Sequence, residues 1–186
     1  TATFIISVSN DNIVEDDETF IVNLTNAQFA GATDATRATF TGGDEQALGT
    51  IQNDDTAVLS IANVSQSEDG AFTFTVTSSN PSESDITGTI DTANIGGEAV
   101  AGTDYTAISG NTFTITGNSS DTSDTFAVTV NDDTIVEGDE TFNVDLSNPL
   151  FDGGSDSSRA TFTGGDNQSL ATIQDNDTAQ LVFDLA

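Results

Sequence analysis

The chain has 186 residues, enough for one or two domains that each bury a core of their own. It carries 31 acidic residues against two basic ones, a net charge of −29, which excludes nucleic acid and anionic lipid as expected partners because both require a positive surface. Cysteine and histidine are absent, so disulfides, thiolate or imidazole metal sites and the usual covalent nucleophile and base are excluded.

High net charge is also typical of disordered chains. The 12 phenylalanines, placed among valine and isoleucine, argue against disorder. No run of about 18 apolar residues is present to span a bilayer, so no membrane insertion is expected. No signal peptide opens the chain, and we expect Thr1 to follow a cut inside a longer protein.

The chain contains an internal repeat. Residues 1–64 align with residues 123–186 at a constant offset of 122, without a gap and with 34 identical positions. An apolar alternating run begins just beyond each of the acidic triplets at residues 53–55 and 175–177. We therefore expect residues 1–55 to be the C-terminal part of one unit, 56–177 a complete unit and 178–186 the first strand of a following unit. No spacer separates them, so neighbouring units are expected to be mechanically coupled.

Within the complete unit, short runs alternate apolar with polar residues, the period of half-buried strands. In chain order the apolar positions are Leu59 and Ile61; Phe72, Phe74 and Val76; Ile86 and Ile90; Phe113 and Ile115; Phe126, Val128 and Val130; Phe142, Val144 and Leu146; Phe162; and Leu170 with Ile173. Seven or more short strands, separated by turn residues and without helical periodicity, predict an all-β antiparallel sandwich. Residues 41–44 and 163–166, both TGGD, predict tight hairpin turns.

The densest chemistry lies in the acidic loop, residues 132–140, between the strand ending near Val130 and the strand starting near Thr141. At ~4 Å two like charges repel by about 1 kcal/mol even in water, so a bound cation is expected to neutralise them. Calcium takes oxygen ligands in flexible geometry, whereas magnesium retains more waters and zinc prefers nitrogen or sulfur. Residues 175–177 are a second cluster, expected at the same pole. The alternative is that both are solvated turns.

Residues 132–148, DDTIVEGDETFNVDLSN, resemble the signature of Calx-beta domains, found in sodium-calcium exchangers and long bacterial surface proteins. Residues 67–70, 102–105 and 173–177 extend the resemblance over the complete unit. It implies seven-stranded, immunoglobulin-like β-sandwiches in tandem with Ca²⁺ at one pole. The implied ligands are Glu68, Asp104, Asp132, Asp133, Glu137, Glu140, Asp175, Asn176, Asp177 and the backbone carbonyl of Ile135. In the preceding unit they are Asp11, Glu15, Glu18, Asp54 and Asp55.

The preceding unit is expected to bind fewer or weaker ions. Asn10 and Asn53 stand where the complete unit has aspartate, and the counterparts of Glu68 and Asp104 lie outside the sequence.

The expected function is a calcium-binding structural module rather than an enzyme. It would be a spacer, stalk or filament segment of a giant extracellular or cell-surface, adhesin-like protein, with calcium rigidifying the junctions between units. The expected partners are calcium ions, neighbouring repeats or copies in a fibre, and glycans or surfaces. Two alternatives stay open, a calcium-sensor domain and an adhesin module that binds sugar or ice through its Thr- and Ser-rich strands. The incomplete units at both ends leave two further readings open. Copies of the chain could exchange strands to build a fibre, or the sequence could simply be trimmed from a longer chain.

Overall fold

The computed structural model of the chain describes residues 3–29, 39–40, 45–96, 98–154, 158–162, 164 and 167–183. Two compact units are present. The first compact unit comprises Thr1–Asp11 and Glu15–Asp54, and the second comprises Asn12–Val14 and Asp55–Ala186. The regular elements of the described ranges are all β-strands, which confirms the predicted all-β class, and no helix there is long and apolar enough to cross a membrane.

The described strands of the first compact unit are β1 (Glu18–Asn23) and β2 (Gln46–Ile51). They pair antiparallel, with Glu18 opposite Ile51. Gly49 faces the ring of Phe20 so closely that a β-carbon at Gly49 would collide with it. The absence of a side chain at Gly49 therefore lets the Phe20 ring lie flat across the pair.

The second compact unit contains nine described strands in two sheets. They are β3 (Ala57–Ile61), β4 (Val64–Ser67), β5 (Ala71–Ser78), β6 (Ile86–Asn94), β7 (Asn111–Ile115), β8 (Ser123–Thr129), β9 (Glu140–Phe151), β10 (Ala160–Phe162) and β11 (Gln168–Gln174). One sheet has the order β10-β3-β5-β8 and the other β4-β11-β9-β6-β7. Neighbouring strands pair antiparallel, except that β10 joins β3 and β4 joins β11 in parallel. The sheets thus form the predicted sandwich, with two parallel pairings that alternation alone does not predict.

Alternating side chains from both sheets fill the core. On β5 the side chains of Phe72, Phe74 and Val76 are fully buried, while the threonines between them are exposed. Phe142 of β9 meets Phe72 across the sandwich, with ring centroids 6.3 Å apart. Each such buried side chain contributes about 1.5–3 kcal/mol. All predicted core positions except Leu170 are accordingly buried, with Phe126 and Phe162 half-buried at the margin of the core.

The prediction for the last strand was wrong at Leu170, which is 38% exposed. Leu170 and Ile173 are three residues apart, so they cannot share one face of a strand that has a period of two. Ser169 and Ala171 point inward with Ile173 instead. The buried Ser169 hydroxyl donates to the carbonyl of Ala62 at 2.9 Å, which satisfies the polar group inside the core.

Some predicted features lie partly or wholly outside the described residues. The turn at residues 41–44 is one, and of the turn at 163–166 only Gly164 is described, with a φ of 61°. Residues 178–183 are described without a strand, and the side chains of Leu181, Val182 and Phe183 are 85–88% exposed. The predicted domain bounds differ from the compact units at Asn12–Val14, at Asp55 and at residues 178–186, which are grouped with the second compact unit, and they stay a prediction.

Candidate metal centre

The end of β4 brings Glu68 beside the segment that follows β11. β4 and β11 run parallel, and the Glu68 N–H donates to the carbonyl of Gln174 at 3.2 Å. Beyond that bond both strands end. The side chain of Glu68 is 6% exposed, and its Oε1 accepts a hydrogen bond of 3.1 Å from the backbone N–H of Asn176. Glu68 is therefore held inside the pole rather than extended into water.

Asp104 lies in a tight turn between β6 and β7. Its Oδ2 accepts from the backbone N–H of Val100 at 2.7 Å, and Gly102 adopts a φ of 91°, where glycine is favoured. The backbone carbonyl of Asp104 accepts from the N–H of Asn131 at 2.9 Å, and the side-chain amide of Asn131 donates to the carbonyl of Thr103 at 2.6 Å. These bonds fix Asp104 next to the start of the acidic loop.

Tyr105 anchors this turn to the core. Its ring is fully buried and stacks on Phe142, with centroids 4.0 Å apart and planes 12° from parallel. Its hydroxyl donates to Oδ1 of Asn94 at 2.6 Å. Burial first, and then the nearby Asp104 charge, raise the pKa of Tyr105, against a lowering hydrogen bond with Thr92. The phenol therefore stays neutral, and its stacking and hydrogen bond anchor the turn that carries Asp104.

The acidic loop connects β8 to β9 without forming a strand in its first eight residues. Its backbone turns at Asp133, whose Oδ1 accepts from the N–H of Ile135 at 2.6 Å, the bond of an Asx-turn. Asp132 accepts from the side-chain amide of Asn176 at 3.3 Å, which ties the loop to the segment after β11. Glu140 begins β9.

These segments enclose a pocket of carboxylates. Its lining residues are Glu68, Asp104, Asn131, Asp133, Glu137, Gly138, Glu140, Ile173 and Asp175. Oxygens of Glu68, Asp175 and Asp177 all lie within 4.8 Å of one another. Oδ2 of Asp177 is buried and has no hydrogen-bond partner. A buried anionic oxygen without a partner is unfavourable, so this geometry favours an additional positive group at the pocket.

Burial and neighbouring negative charges raise the pKa values of three carboxylates at the pocket, those of Glu137, Glu140 and Asp177. For Glu137 the loss of solvent contributes most, followed by the charges of Asp133, Asp104, Glu68 and Asp175. For Glu140 burial again comes first, and the charge of Asp104 second. Burial and the charges of Asp175, Asp132 and Asp133 raise the pKa of Asp177. The metal-free pocket therefore resists holding all of its negative charge.

A hard divalent cation fits this donor set. Oxygens that share one calcium ion at about 2.4 Å can be no more than about 4.8 Å apart, which the three closest carboxylates satisfy. Of the two basic residues, Arg37 lies outside the described part of the chain, and Arg159 lies over the ring of Phe151, 5.5 Å from its centroid. Phe151 ends β9 whereas Glu140 begins it, so Arg159 is at the far end of that strand and cannot neutralise the pocket.

Most of the predicted ligands in the complete unit come together. Glu68, Asp104, Asp133, Glu137, Glu140 and Asp175 line the pocket, and Asp177 joins Glu68 and Asp175. Asp132 and Asn176 are bonded to each other beside it. Ile135 has its N–H turned toward Asp133 and its side chain 59% exposed. The role of each residue as a ligand stays a prediction.

The predicted ligands of the preceding unit do not form an equally close group. The N–H of Glu15 donates to Oδ1 of Asn53 at 3.0 Å, and the N–H of Asn53 donates to Oδ1 of Asp17 at 3.1 Å. Glu18 begins β1, Asp11 and Asp54 are exposed, and Asp55 belongs to the second compact unit. Within the described ranges, the first compact unit contains no three carboxylates as close as Glu68, Asp175 and Asp177.

Sequence reasoning missed two residues that organise these loops. Asn131 lines the pocket and bonds to Thr103, but its repeat counterpart is Ser9, so the repeat gave no signal for it. Asp17 accepts the N–H of Asn53. Its counterpart Asp139 is the one acidic residue of the loop that we did not include among the ligands, and identity at this offset could have drawn attention to it.

Comparison with known proteins agrees with this architecture. The family model described as the Calx-beta domain matches residues 1–55 and 52–177. Among solved structures, the apo form of the Calx CBD1 domain is similar, at 20% identity and a TM-score of 0.54, over 66% of this chain and 100% of that one. The Calx CBD2 domain matches at 13% identity and a TM-score of 0.55, over 64% of this chain and 86% of that one.

The calcium binding domain CBD12 of CALX1.1 matches at 21% identity and a TM-score of 0.53. The match spans 66% of this chain but only 47% of that longer one. These likenesses show the shared fold. No curated protein sequence matches the chain significantly.

Proposed function

Since the chain belongs to the Calx-beta domain family, we propose that the carboxylate pocket of the second compact unit binds calcium. The observation that carries this proposal is the buried Oδ2 of Asp177, which has no hydrogen-bond partner, on a residue that forms a close group of carboxylates with Glu68 and Asp175. A cation at this point would supply the missing partner and relieve the mutual repulsion. Calcium suits it, because each donor is an oxygen and the loops can adjust to 6–8 ligands.

The proposed ligands come from four separate parts of the chain. Glu68, Asp175 and Asp177 would share one ion, and Asp104, Asp133, Glu137 and Glu140 would complete its coordination or hold further ions. Asp132, Asn176 and the carbonyl of Ile135 are the proposed outer members. Because the unfolded chain cannot hold these segments together, calcium binding would add to the free energy of unfolding.

The repeat supports our proposal of a module role. A near-identical acidic segment recurs 122 residues apart, and Leu181 of the next apolar run stands only four residues after Asp177. In our proposal the units are spacers of a large extracellular or cell-surface adhesin-like protein, and calcium stiffens the junctions between neighbouring repeats or copies in a fibre. Extracellular calcium modules have dissociation constants of about 0.1–1 mM. A sub-micromolar constant would instead indicate a sensor.

Small-angle X-ray scattering and thermal unfolding, in calcium and in chelator, test this proposal. Calcium should raise both the melting temperature and the maximum dimension, and magnesium at equal concentration should do so less. A raised melting temperature with an unchanged dimension would retain calcium binding and contradict the stiffened junction. If neither quantity changes, the calcium site itself is refuted.

A second candidate, contact with a glycan or with ice, is favoured by a threonine array on the outer face of the β10-β3-β5-β8 sheet. Thr73, Thr75 and Thr77 of β5 are exposed at every second position, and Thr75 lies opposite Thr125 of β8. A glycan array and an ice-recrystallisation assay test this surface. Binding that is lost in Thr75→Lys would support it, whereas no binding to either probe would exclude it.

A further inference from the structure

Residues Asn12–Val14 stand in the sequence between two stretches of the first compact unit, yet they belong to the second. Val14 is fully buried there as a member of the hydrophobic core. It forms a parallel bridge with Ser82. Its N–H donates to the carbonyl of Pro81 at 3.0 Å, and its carbonyl accepts from the N–H of Glu83 at 2.9 Å. Val14 is thus a one-residue strand whose side chain completes the core of the second compact unit.

The same sequence recurs in the acidic loop with a different environment. Val136 stands 122 residues after Val14, and both follow isoleucine and precede glutamate. The side chain of Val136 is 50% exposed and that of Ile135 is 59% exposed. Carboxylate ligands to a metal give no reason for two apolar β-branched residues in the middle of the loop. Burial of the kind seen at Val14 gives a reason for the valine, because removing its side chain from water lowers the free energy, whereas Ile13, the counterpart of Ile135, is 37% exposed.

We propose that residues 134–136 dock on a further copy of this β-sandwich that follows Asp177 directly. In that copy Val136 fills the position that Val14 fills in the second compact unit, and its backbone pairs with the counterpart of residues 81–83. The addition of a short strand to an exposed backbone edge is a recurrent mode of protein association.

The repeat supplies the argument for this occupant. Thr56, Ala57 and Leu59, at the start of the second compact unit, recur as Thr178, Ala179 and Leu181. Val136 therefore stands as far ahead of Thr178 as Val14 stands ahead of Thr56. A copy that begins at Thr178 would meet the loop with the same chain length between the two contacts.

Docking would link the acidic loop of one repeat to the core of the next. Val136 precedes Glu137, which lines the carboxylate pocket, so the docked backbone would hold that side of the pocket. The inference extends the proposed role of a repeat module, but it does not require calcium to be bound. An apolar insertion and a metal site can therefore be tested separately.

The test uses the present chain and an extended chain in which residues 1–177 are followed by a second copy of residues 56–186. Val14→Ser and Val136→Ser are made in both, and amide hydrogen exchange is measured in calcium and in chelator. The informative amides are that of Glu83, which donates to Val14, and its counterpart in the appended copy. A calcium titration of the same proteins reports on the pocket independently.

Val14→Ser should lower the protection of Glu83 at least about tenfold in both chains, because the docked strand loses its core side chain. Val136→Ser should lower the protection of only one of these amides, the counterpart of Glu83 in the appended copy. It should leave the protection of Glu83 in the present chain unchanged. Three outcomes overturn the inference: no change at the counterpart, no effect of Val14→Ser on Glu83, or equal loss of stability from Val136→Ser without the appended copy. Loss of calcium binding alone would count against the proposed function and not against docking.

Discussion

The two acidic segments, residues 11–18 and 133–140, differ at only two of eight positions, but the structure uses them differently. In the second, the loop faces Glu68 and Asp104, which come from strands and turns far away in sequence. In the first, Asn53 bonds to the backbone of Glu15 and to the side chain of Asp17. A run of carboxylates is thus a candidate metal centre where the fold adds carboxylates from other segments, and for the first acidic segment the counterparts of Glu68 and Asp104 lie outside the sequence.

The largest expected difference concerns two equivalent phenylalanines. Phe142 is fully buried and stacked on Tyr105, whereas its counterpart Phe20 is half-buried. Phe142→Ala should cost about 3–5 kcal/mol of unfolding free energy, because it leaves a cavity under the acidic pole. Phe20→Ala should cost clearly less. Urea unfolding measures both, and equal losses would remove the distinction between the two copies.

The next largest difference between the two compact units is expected in how much calcium stabilises each of them. At ten times its dissociation constant, each bound ion adds about 1.4 kcal/mol, or roughly 3–6 °C for a domain of this size. The shift should appear in the unfolding of the second compact unit, followed by hydrogen exchange of its core amides. A larger shift in the first compact unit would reverse our assignment of the site.

Two equivalent glutamates should differ in their effect on calcium affinity. Glu137 lines the pocket, and Glu15 is its counterpart. Glu137→Gln should weaken the tightest calcium binding about tenfold, since one carboxylate charge facing the ion is lost. Glu15→Gln should leave that constant within about twofold. Isothermal titration calorimetry measures both, and equal effects of the two variants would contradict the assignment.

The pH dependence of stability should change sign with calcium. The pKa values of Glu137, Glu140 and Asp177 lie above their ordinary values of 4.5 for glutamate and 3.8 for aspartate. The folded, metal-free protein therefore holds protons more tightly than the unfolded chain. The resulting stabilisation is present below the ordinary values and is lost as pH rises through the raised ones.

In chelator the melting temperature should consequently fall as pH rises from about 4 to 7. In saturating calcium it should rise over the same range, because protons compete with the ion. Asp177→Asn should flatten the slope in chelator, with Asp54→Asn as the control from the first compact unit. An unchanged slope in Asp177→Asn would show that the pocket carboxylates do not set the pH dependence.

The smallest effect is expected at Leu170 and its counterpart Leu48, which are 38% and 70% exposed. Replacing either by serine should change the unfolding free energy by no more than about 0.5 kcal/mol. Chemical denaturation measures this change. A loss of 2 kcal/mol or more at Leu170 would restore our original prediction that it belongs to the core.

Much of the fold could be predicted from the sequence because alternation reports directly on which side chains face inward. The runs at Phe72, Phe113 and Phe142 are examples, since each lies in a strand with its apolar residues buried. The inward-facing residues of the final strand were harder to predict, because the large Leu170 points outward and the small Ser169 points inward. The parallel pairings of β10 with β3 and β4 with β11 depend on long-range contacts, which no local pattern encodes.

The membership of the candidate site could be anticipated, and Asn10 and Asn53 indicated a weaker site in the preceding unit, but the environment of the two equivalent valines could not be anticipated. Acidic composition and the repeat pointed to residues 132–140 and 175–177, and the resemblance added Glu68 and Asp104. The burial of Val14 could not be predicted, because Val136 has the same local sequence and is half exposed. That contrast depends on what each residue packs against.

Whether the pocket binds calcium is best decided by a high-resolution structure of crystals grown in calcium. We expect an ion about 2.4 Å from Oδ2 of Asp177, with oxygens of Glu68 and Asp175 at similar distances. Asp177→Asn should lower the occupancy of that ion. A well-ordered pocket that holds only water at saturating calcium, or an Asp177 that turns away to a protein hydrogen-bond donor, would contradict it.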